Sequence, residues 1–387
     1  MSCQEQLRLA AVGDIILSSG YWDVVTKAER LGIFEDVRPL LAEADIAVGN
    51  LEGPLTERPV VAPPWRFCLH GHPLYARALR SAGFGVLNLA NNHIMDHGWE
   101  GVEETLDVLS KAGIRAFGVG VNLGTARTPL RLSVNSMTVA FLGYCDVPVN
   151  LPIFATSTRP GVAGAQVSSM IQDVHAARQE SDVVVVSLHW GQEMVNCPSP
   201  RQRHMARQLI AAGANMILGH HPHVLQGIEQ VGESLVAYSL GTYSVCEEQW
   251  IGTDSNGASF RWMHMGTSDA WRRQLVLHVS VSADGAVLTY RQIPTYIRTD
   301  MLVVRDTRPE RVAAFDSNAA LLRSPLYSLR WGAQLVHARI SDQTGHTAAG
   351  PSSWKLAIRV RPRHLRLLKS TLLNEWQQLR GLQRRRP

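Results

Sequence analysis

Short apolar runs that stop on polar residues recur along the first 240 positions of the chain. Residues 7–12 break at Gly13-Asp14 and resume with Ile15, Ile16 and Leu17, and Ile46-Ala47-Val48 ends on Gly49-Asn50-Leu51-Glu52. Val86-Leu87-Asn88-Leu89 runs into Ala90-Asn91-Asn92-His93, residues 182–188 end on His189-Trp190-Gly191-Gln192-Glu193, and residues 214–218 end on Gly219-His220-His221-Pro222-His223-Val224. Each run has the length of a buried strand. Residues 116–120, 137–143 and 235–238 add three more. Between them the apolar spacing turns helical, with Val37, Leu40 and Leu41 on one side of residues 35–44 and with Val102, Leu106 and Leu109 in a segment that closes at Gly113. Pro73 opens a helix ending at Gly83, Val167, Met170, Ile171 and Val174 mark another, and Ser199-Pro200 starts a third that stops at Gly213.

Helix and strand in alternation predict an α/β domain with parallel pairing, and in such sheets ligands gather outside the carboxyl ends of the strands. Asp14, Asn50, Glu52, Asn92, His93, His189, His221 and His223 should then face one crevice. Pro222 favours extended geometry around it, which would turn the His221 and His223 imidazoles to one side. Carboxylate, amide and imidazole suit Mn, Fe, Zn or Co better than a thiolate-seeking ion. So many ligand groups suggest two ions, which need a bridging carboxylate and together lower the pKa of a shared water. Residues 146–164, with three prolines, read as a long loop over the site, and residues 247–271 as an irregular insertion bordering it. Residues 273–281 and 286–293 flank Asp284-Gly285 as a hairpin.

Composition narrows the class without naming a function. With 387 residues, 45% hydrophobic and 18% charged, the chain reads as soluble and globular, in one large domain or two smaller ones. A formal charge of +5 permits an acidic partner, and five widely spaced cysteines suit a reducing compartment. The opening residues lack a charged start followed by an apolar core, so the expected location is cytoplasmic. The charge concentrates in residues 352–387, where Arg359, Arg361, Arg363, Arg366 and Lys369 interleave with Leu365, Leu368, Leu372 and Leu373 at helical spacing. Such a helix can contact an anionic membrane surface or a polyanion peripherally, dock on a partner, or pack on its own domain.

In order, Gly13-Asp14, Asn50-Leu51-Glu52, Asn91-Asn92-His93 with Asp96 and Gly98, His189-Trp190-Gly191 with Glu193, residues 219–224 and Tyr238-Ser239-Leu240-Gly241 resemble the motifs of the CapA family. These are poly-γ-glutamate capsule synthesis proteins related to the calcineurin-like metallophosphoesterases, and the resemblance spans roughly residues 7–300. It implies a four-layer α/β/β/α metallophosphoesterase-like sandwich over residues 1–305, followed by a C-terminal extension over residues 306–387 that is basic and partly helical. It also implies a site for two divalent metal ions, with Asp14 as first carboxylate ligand, Glu52 as bridge, Asn92 as amide ligand and His189, His221 and His223 as imidazole ligands. His93 would lie beside the leaving group, oriented by Asp96. Apart from the resemblance, Asn50, Glu193 and His220 are read as supporting the ligands from behind, with a turn at Asn50 and simple packing of Glu193 and His220 as the alternatives.

Two departures stand out: Ile16 replaces a ligand histidine of the phosphoesterases, and Thr242 stands where the family usually has asparagine. The ion held by Asp14 and His223 is therefore expected to have fewer ligands than one held by Asn92, His189 and His221. Trp65, Arg66 and Phe67 are candidates for a substrate groove, and His70, His72, His97 and His204 are read as having no function. The expected function is a metal-dependent hydrolase in the biosynthesis or processing of poly-γ-glutamate or a related anionic polymer or γ-linked peptide. A capsule-assembly factor binding polymer carboxylates without cleavage, and a small-molecule phosphoesterase, are the alternatives.

Overall fold

Strand β1 (Gln6–Ile15) sorts its side chains by parity: Leu7, Leu9 and Ala11 enter one core while Ala10 and Val12 enter another. The computed structural model describes residues 6–18, 21, 32–61, 67–147, 149, 151–246, 248–253, 259–265, 268–308, 320–324 and 327–344. After β1 come α1 (Arg38–Ala42), β2 (Ile46–Leu51), α2 (Tyr75–Ala82), β3 (Val86–Asn88), α3 (Gly98–Lys111), β4 (Arg115–Phe117), β5 (Val119–Gly120) and α4 (Leu123–Ala126). The middle of the chain forms β6 (Leu130–Val134), β7 (Met137–Cys145), β8 (Gly161–Val162), α5 (Val167–Gln179), β9 (Val183–His189), α6 (Pro200–Ala211), β10 (Met216–His220), β11 (Ile228–Val231), β12 (Ser234–Ala237) and β13 (Thr242–Ser244). Last are β14 (Glu248–Thr253), β15 (Ser259–Met265), α7 (Asp269–Arg272), β16 (Arg273–Ser282), β17 (Val287–Ile297), β18 (Val303–Arg305) and α8 (Tyr327–Thr344).

Two sheets result. The first runs β18-β17-β16-β1-β2-β3-β4, parallel from β1 to β4 and antiparallel across β16, β17 and β18. The second runs β11-β12-β10-β9-β7-β6, with β12, β10, β9 and β7 parallel. Leu9, Val48 and Val86 of the first sheet share a core with Val139, Val185 and Leu218 of the second, so the sheets lie face to face. The outer face of the first packs on Leu40, Leu79 and Leu109 from α1, α2 and α3, and that of the second on Val174 and Leu209 from α5 and α6. This is the expected α/β/β/α order of layers. Helix α6 begins where Ser199-Pro200 predicts, with a capping box between Ser199 and Gln202.

At its carboxyl end β1 exchanges neighbours. β16 pairs with it as far as Ala11, and β13 takes over in parallel at Asp14 and Ile15. The exchange needs glycine at position 13, where a Cβ would lie 2.0 Å from the Gly241 carbonyl oxygen.

Several expectations are corrected. The segment after β7 is largely irregular as expected, but it also buries Ile153 in the helix-side core and adds β8, which pairs with β5. The insertion is regular, because β14 and β15 satisfy each other as an antiparallel pair, an order that the sequence's lack of alternation conceals. β6 and β11 are further strands that the apolar pattern misses, since both are half exposed edge strands. The β16–β17 hairpin turns at Gly285 as expected, with φ +91°. Beyond residue 305, Leu322, Tyr327, Trp331 and Leu335 join the core around α5 and α6, and the Arg203 guanidinium sits 4.7 Å from the Tyr327 ring centre. Trp65, Arg66 and the basic residues 352–387 lie outside the described residues. No described helix is long and apolar enough to cross a membrane.

Candidate metal centre

The carboxyl ends of the parallel strands of both sheets meet in one place. β1 delivers Asp14 and β2 delivers Asn50, with Glu52 just past its end. β3 leads to Asn91, Asn92 and His93, β9 ends on His189, and β10 ends on His220 before His221 and His223. Asp14, Asn50, Glu52, Asn92, His189, His220, His221 and His223 are all buried.

Their ligand atoms form two groups that share a carboxylate: Asp14, Glu52 and His189 in one, and Glu52, His221 and His223 in the other, each with atoms within 4.8 Å of one another. Glu52 Oε1 lies 3.6 Å from His189 Nε2 and 3.9 Å from His223 Nε2. Both Glu52 oxygens and His221 Nδ1 are buried without a hydrogen-bond partner. Orphaned atoms of this kind cost about 1–3 kcal/mol each, more for charged groups, unless something binds them. A pair of divalent cations fits the donors: oxygen and imidazole throughout, with one carboxylate central to both groups. Contacts also cross these groups: the His189 and His221 ring centres are 4.9 Å apart and His223 Nδ1 lies 3.2 Å from Asp14 Oδ2, the pairs expected from the sequence.

Asp14 is held by many donors. Asn50 Nδ2 donates to its Oδ1 at 2.8 Å and the His221 backbone N–H to its Oδ2 at 2.9 Å, while His223 Nδ1 lies 3.2 Å from Oδ2 and His220 Nδ1 3.4 Å from Oδ1. Burial works to raise this carboxyl, but the adjacent imidazoles of His220 and His223 and the field of His189 hold it well below the usual carboxylate range. At Glu52 the balance reverses. Burial, joined by the charges of Asp14 and Glu193, pushes it well above that range despite the opposing field of His223. Burial pushes His189 well below the usual imidazole value and His221 down to about 4. It works against protonation of His223 too, yet the carboxylates of Glu52 and Asp14 outweigh it and raise that ring to about 9.

The backbone around the second histidine pair corrects an expectation. His221 and His223 have φ +92° and +58°, so the chain is not extended there, and their rings lie 5.8 Å apart at 58°. The strand ends at His220, and the turn that follows is tied down by His221 N–H on Asp14 and by Met194 N–H on the Pro222 carbonyl at 2.9 Å. Glu193, next to Met194, is half-buried with no ion pair or hydrogen bond among the described residues, and its charge is felt at both His221 and His223.

His93 stands outside both groups. Its Nδ1 lies 2.6 Å from Asp96 Oδ2, and Asp96 also accepts from the Leu69 backbone N–H at 2.8 Å. Phe67 packs edge-on against the His93 ring at 5.7 Å. Asn92 Oδ1 lies 2.7 Å from His189 Nε2. Sequence reasoning misses Asn88 and Asn91, both fully buried, whose side-chain amides donate to Asn50 Oδ1 at 2.9 and 3.3 Å. The signal was there: Asn88 pairs in register with Asn50 and interrupts an apolar strand. It also misses Trp271, stacked on His223 at 4.8 Å and 18°.

Residues 8–244 match the family model described as bacterial capsule synthesis protein PGA_cap. The PGA biosynthesis protein CapA of Bacillus subtilis is 35% identical over 64% of this chain and 65% of its own length, and the capsule biosynthesis protein CapA of Bacillus anthracis is 33% identical over 64% and 62%. The chain thus spans less than two thirds of these relatives. A probable polyglutamine synthesis accessory protein of Mycobacterium tuberculosis is 29% identical over 62% of this chain and 65% of its own. Among solved structures, the NAD nucleotidase of Haemophilus influenzae superposes with a TM-score of 0.42 at 14% identity, over 88% of this chain and 60% of that one. The family match runs from β1 through β13 and takes in every residue of both ligand groups, so the chain belongs to the PGA_cap family of bacterial capsule synthesis proteins.

Proposed function

We propose that the protein is a metal-dependent hydrolase that cleaves γ-linked bonds in poly-γ-glutamate or a related anionic polymer during its synthesis or trimming. The observation that carries this reading is Glu52, a fully desolvated carboxylate with two unpartnered oxygens between two sets of ligand atoms. Ions held by Asp14, Glu52 and His189 and by Glu52, His221 and His223 would supply Lewis acidity toward the scissile group and toward water.

The remaining work falls to the chain. Asn50, itself held by Asn88 and Asn91, keeps Asp14 in place as an acceptor. Asp96 accepts a hydrogen bond from Nδ1–H of His93, which leaves Nε2 as the nitrogen that would exchange a proton with the leaving amine. This pair favours catalysis over mere retention of polymer carboxylates, because a factor that only binds has no use for an oriented acid outside its metal ligands. The names of the Bacillus relatives support the class of polymer.

The test is incubation of purified, metal-supplemented protein with poly-γ-glutamate, a γ-glutamyl oligopeptide and a generic phosphodiester. The reading expects shortened polymer and newly freed amines. Retention of polymer without shortening would make the protein an assembly factor, and turnover of the phosphodiester alone would make it a phosphoesterase.

A further inference from the structure

We infer that Trp271, which lies beyond the family-matched residues, is a positioning residue for His223, and that it works together with Thr242 to fix how that imidazole meets the metal centre. The inference rests on the metal-binding reading above.

An imidazole ligand has two freedoms that matter, the plane of its ring and which nitrogen points inward. The indole of Trp271 lies nearly parallel to the His223 ring, with centroids 4.8 Å apart and planes 18° apart, so it restricts the plane. A stack alone tolerates a half-turn of the ring. That half-turn is opposed by Thr242, whose Oγ1 lies 3.0 Å from His223 Nδ1, and by Asp14 Oδ2 at 3.2 Å, since turning would put a carbon against both oxygens. Nε2 is thereby the nitrogen left facing Glu52, at 3.9 Å from its Oε1. Partners that hold the second nitrogen of a ligand histidine fix its orientation and strengthen it as a donor.

Trp271 is itself firmly mounted. It sits in the short α7, its N–H reaches Ser268 Oγ at 3.3 Å, its carbonyl accepts from the Gln274 side chain, and the next residue, Arg272, donates to the Ile297 carbonyl at 3.0 Å. The mount is needed because His223 occupies a left-handed backbone conformation, with φ +58°, in a turn where no strand ladder holds it. Thr242 is placed by β13, which pairs it with Asp14. Thr242 and Trp271 thus act on one ring.

The experiment is titration with Co²⁺ alone, read by its visible absorption bands, on wild type, Trp271→Leu, Trp271→Phe and Thr242→Val, with melting temperatures measured beside it. Leucine keeps apolar volume and removes the planar face. The expected result is that Trp271→Leu binds one of two cobalt ions roughly 10–100-fold more weakly, with altered bands, that phenylalanine restores both, and that Thr242→Val weakens the same ion. Wild-type affinity and bands in Trp271→Leu, whatever its melting temperature, would overturn the inference and leave Trp271 as packing alone. Wild-type protein that takes up no cobalt would remove the metal reading, and this inference with it.

Discussion

Asp14 and His189 stand at the ends of parallel strands, whereas His221 and His223 stand in a turn whose backbone has become left-handed at both positions. The first pair inherits its placement from two sheet ladders, with Asp14 paired to β2 and β13 and His189 to β7 and β10. The second pair is placed by single contacts: a backbone N–H on Asp14, Met194 on Pro222, and the stack of Trp271. Non-glycine residues in such conformations cost on the order of 1–3 kcal/mol each and persist where surrounding structure fixes them, which is typical of ligand clamps. One half of the centre is therefore held by sheet ladders, and the other by single hydrogen bonds and one aromatic stack. Glu52 joins the two.

The largest expected effect lies outside both halves. His93→Ala should keep its metal and lose turnover by roughly 10²–10⁴-fold, because an acid acting on the leaving group contributes mainly in the transition state. Metal content and rate measured on the same preparation check it, and metal lost in step with rate would make His93 a ligand and the centre larger than two groups. On the strand-end half, Asn50→Leu should lower stability by about 3 kcal/mol, since it strands the amide of Asn88 and takes a donor from a buried carboxylate. Chemical denaturation of metal-free protein reads this, and a change under about 1 kcal/mol would show that water or a rearranged amide replaces Asn50.

A smaller effect distinguishes the halves by their protons. In metal-free protein at neutral pH, Asp14 is held ionised, while His189 and His221, shifted down, are held neutral, so none of them has a proton to give up. His223, raised to about 9 by the neighbouring carboxylates, keeps its proton there. A cation must displace it, so affinity should rise as the pH climbs toward about 9, with about one proton released per chain at pH 7. Calorimetry in buffers of different ionisation enthalpy counts those protons, and a count of zero would contradict the charge states assigned to the His223 side.

What was legible in the sequence follows the same division. Apolar runs ending on Asp14, Asn50 and His189 reveal strands and their functional ends together, since a strand buried on both faces has nowhere else to put a polar group. The layer order was legible only through the resemblance of the motifs to the CapA family, since alternation by itself predicts an α/β domain with parallel pairing and no particular stacking. The left-handed turn at His221 and His223 was not legible, because Pro222 by itself argues for extended chain and only the ties from Asp14 and Met194 override it. Trp271 was hidden for a different reason: it sits in an insertion without periodicity, and its contact with His223 spans 48 positions in sequence. Asn88 was visible but underread, because one amide in a three-residue strand looks like a turn residue until its pairing with Asn50 is known.

The claim that a single carboxylate serves two ions is tested most directly by counting metal. Wild type, Glu52→Gln, His189→Gln and His221→Gln, loaded identically and freed of loose metal, should be compared by elemental analysis. The account predicts about two ions per chain in wild type, about one in each histidine variant and close to none in Glu52→Gln, since a bridging carboxylate contacts both ions. Two ions retained in Glu52→Gln, or no more than one in wild type, would contradict it.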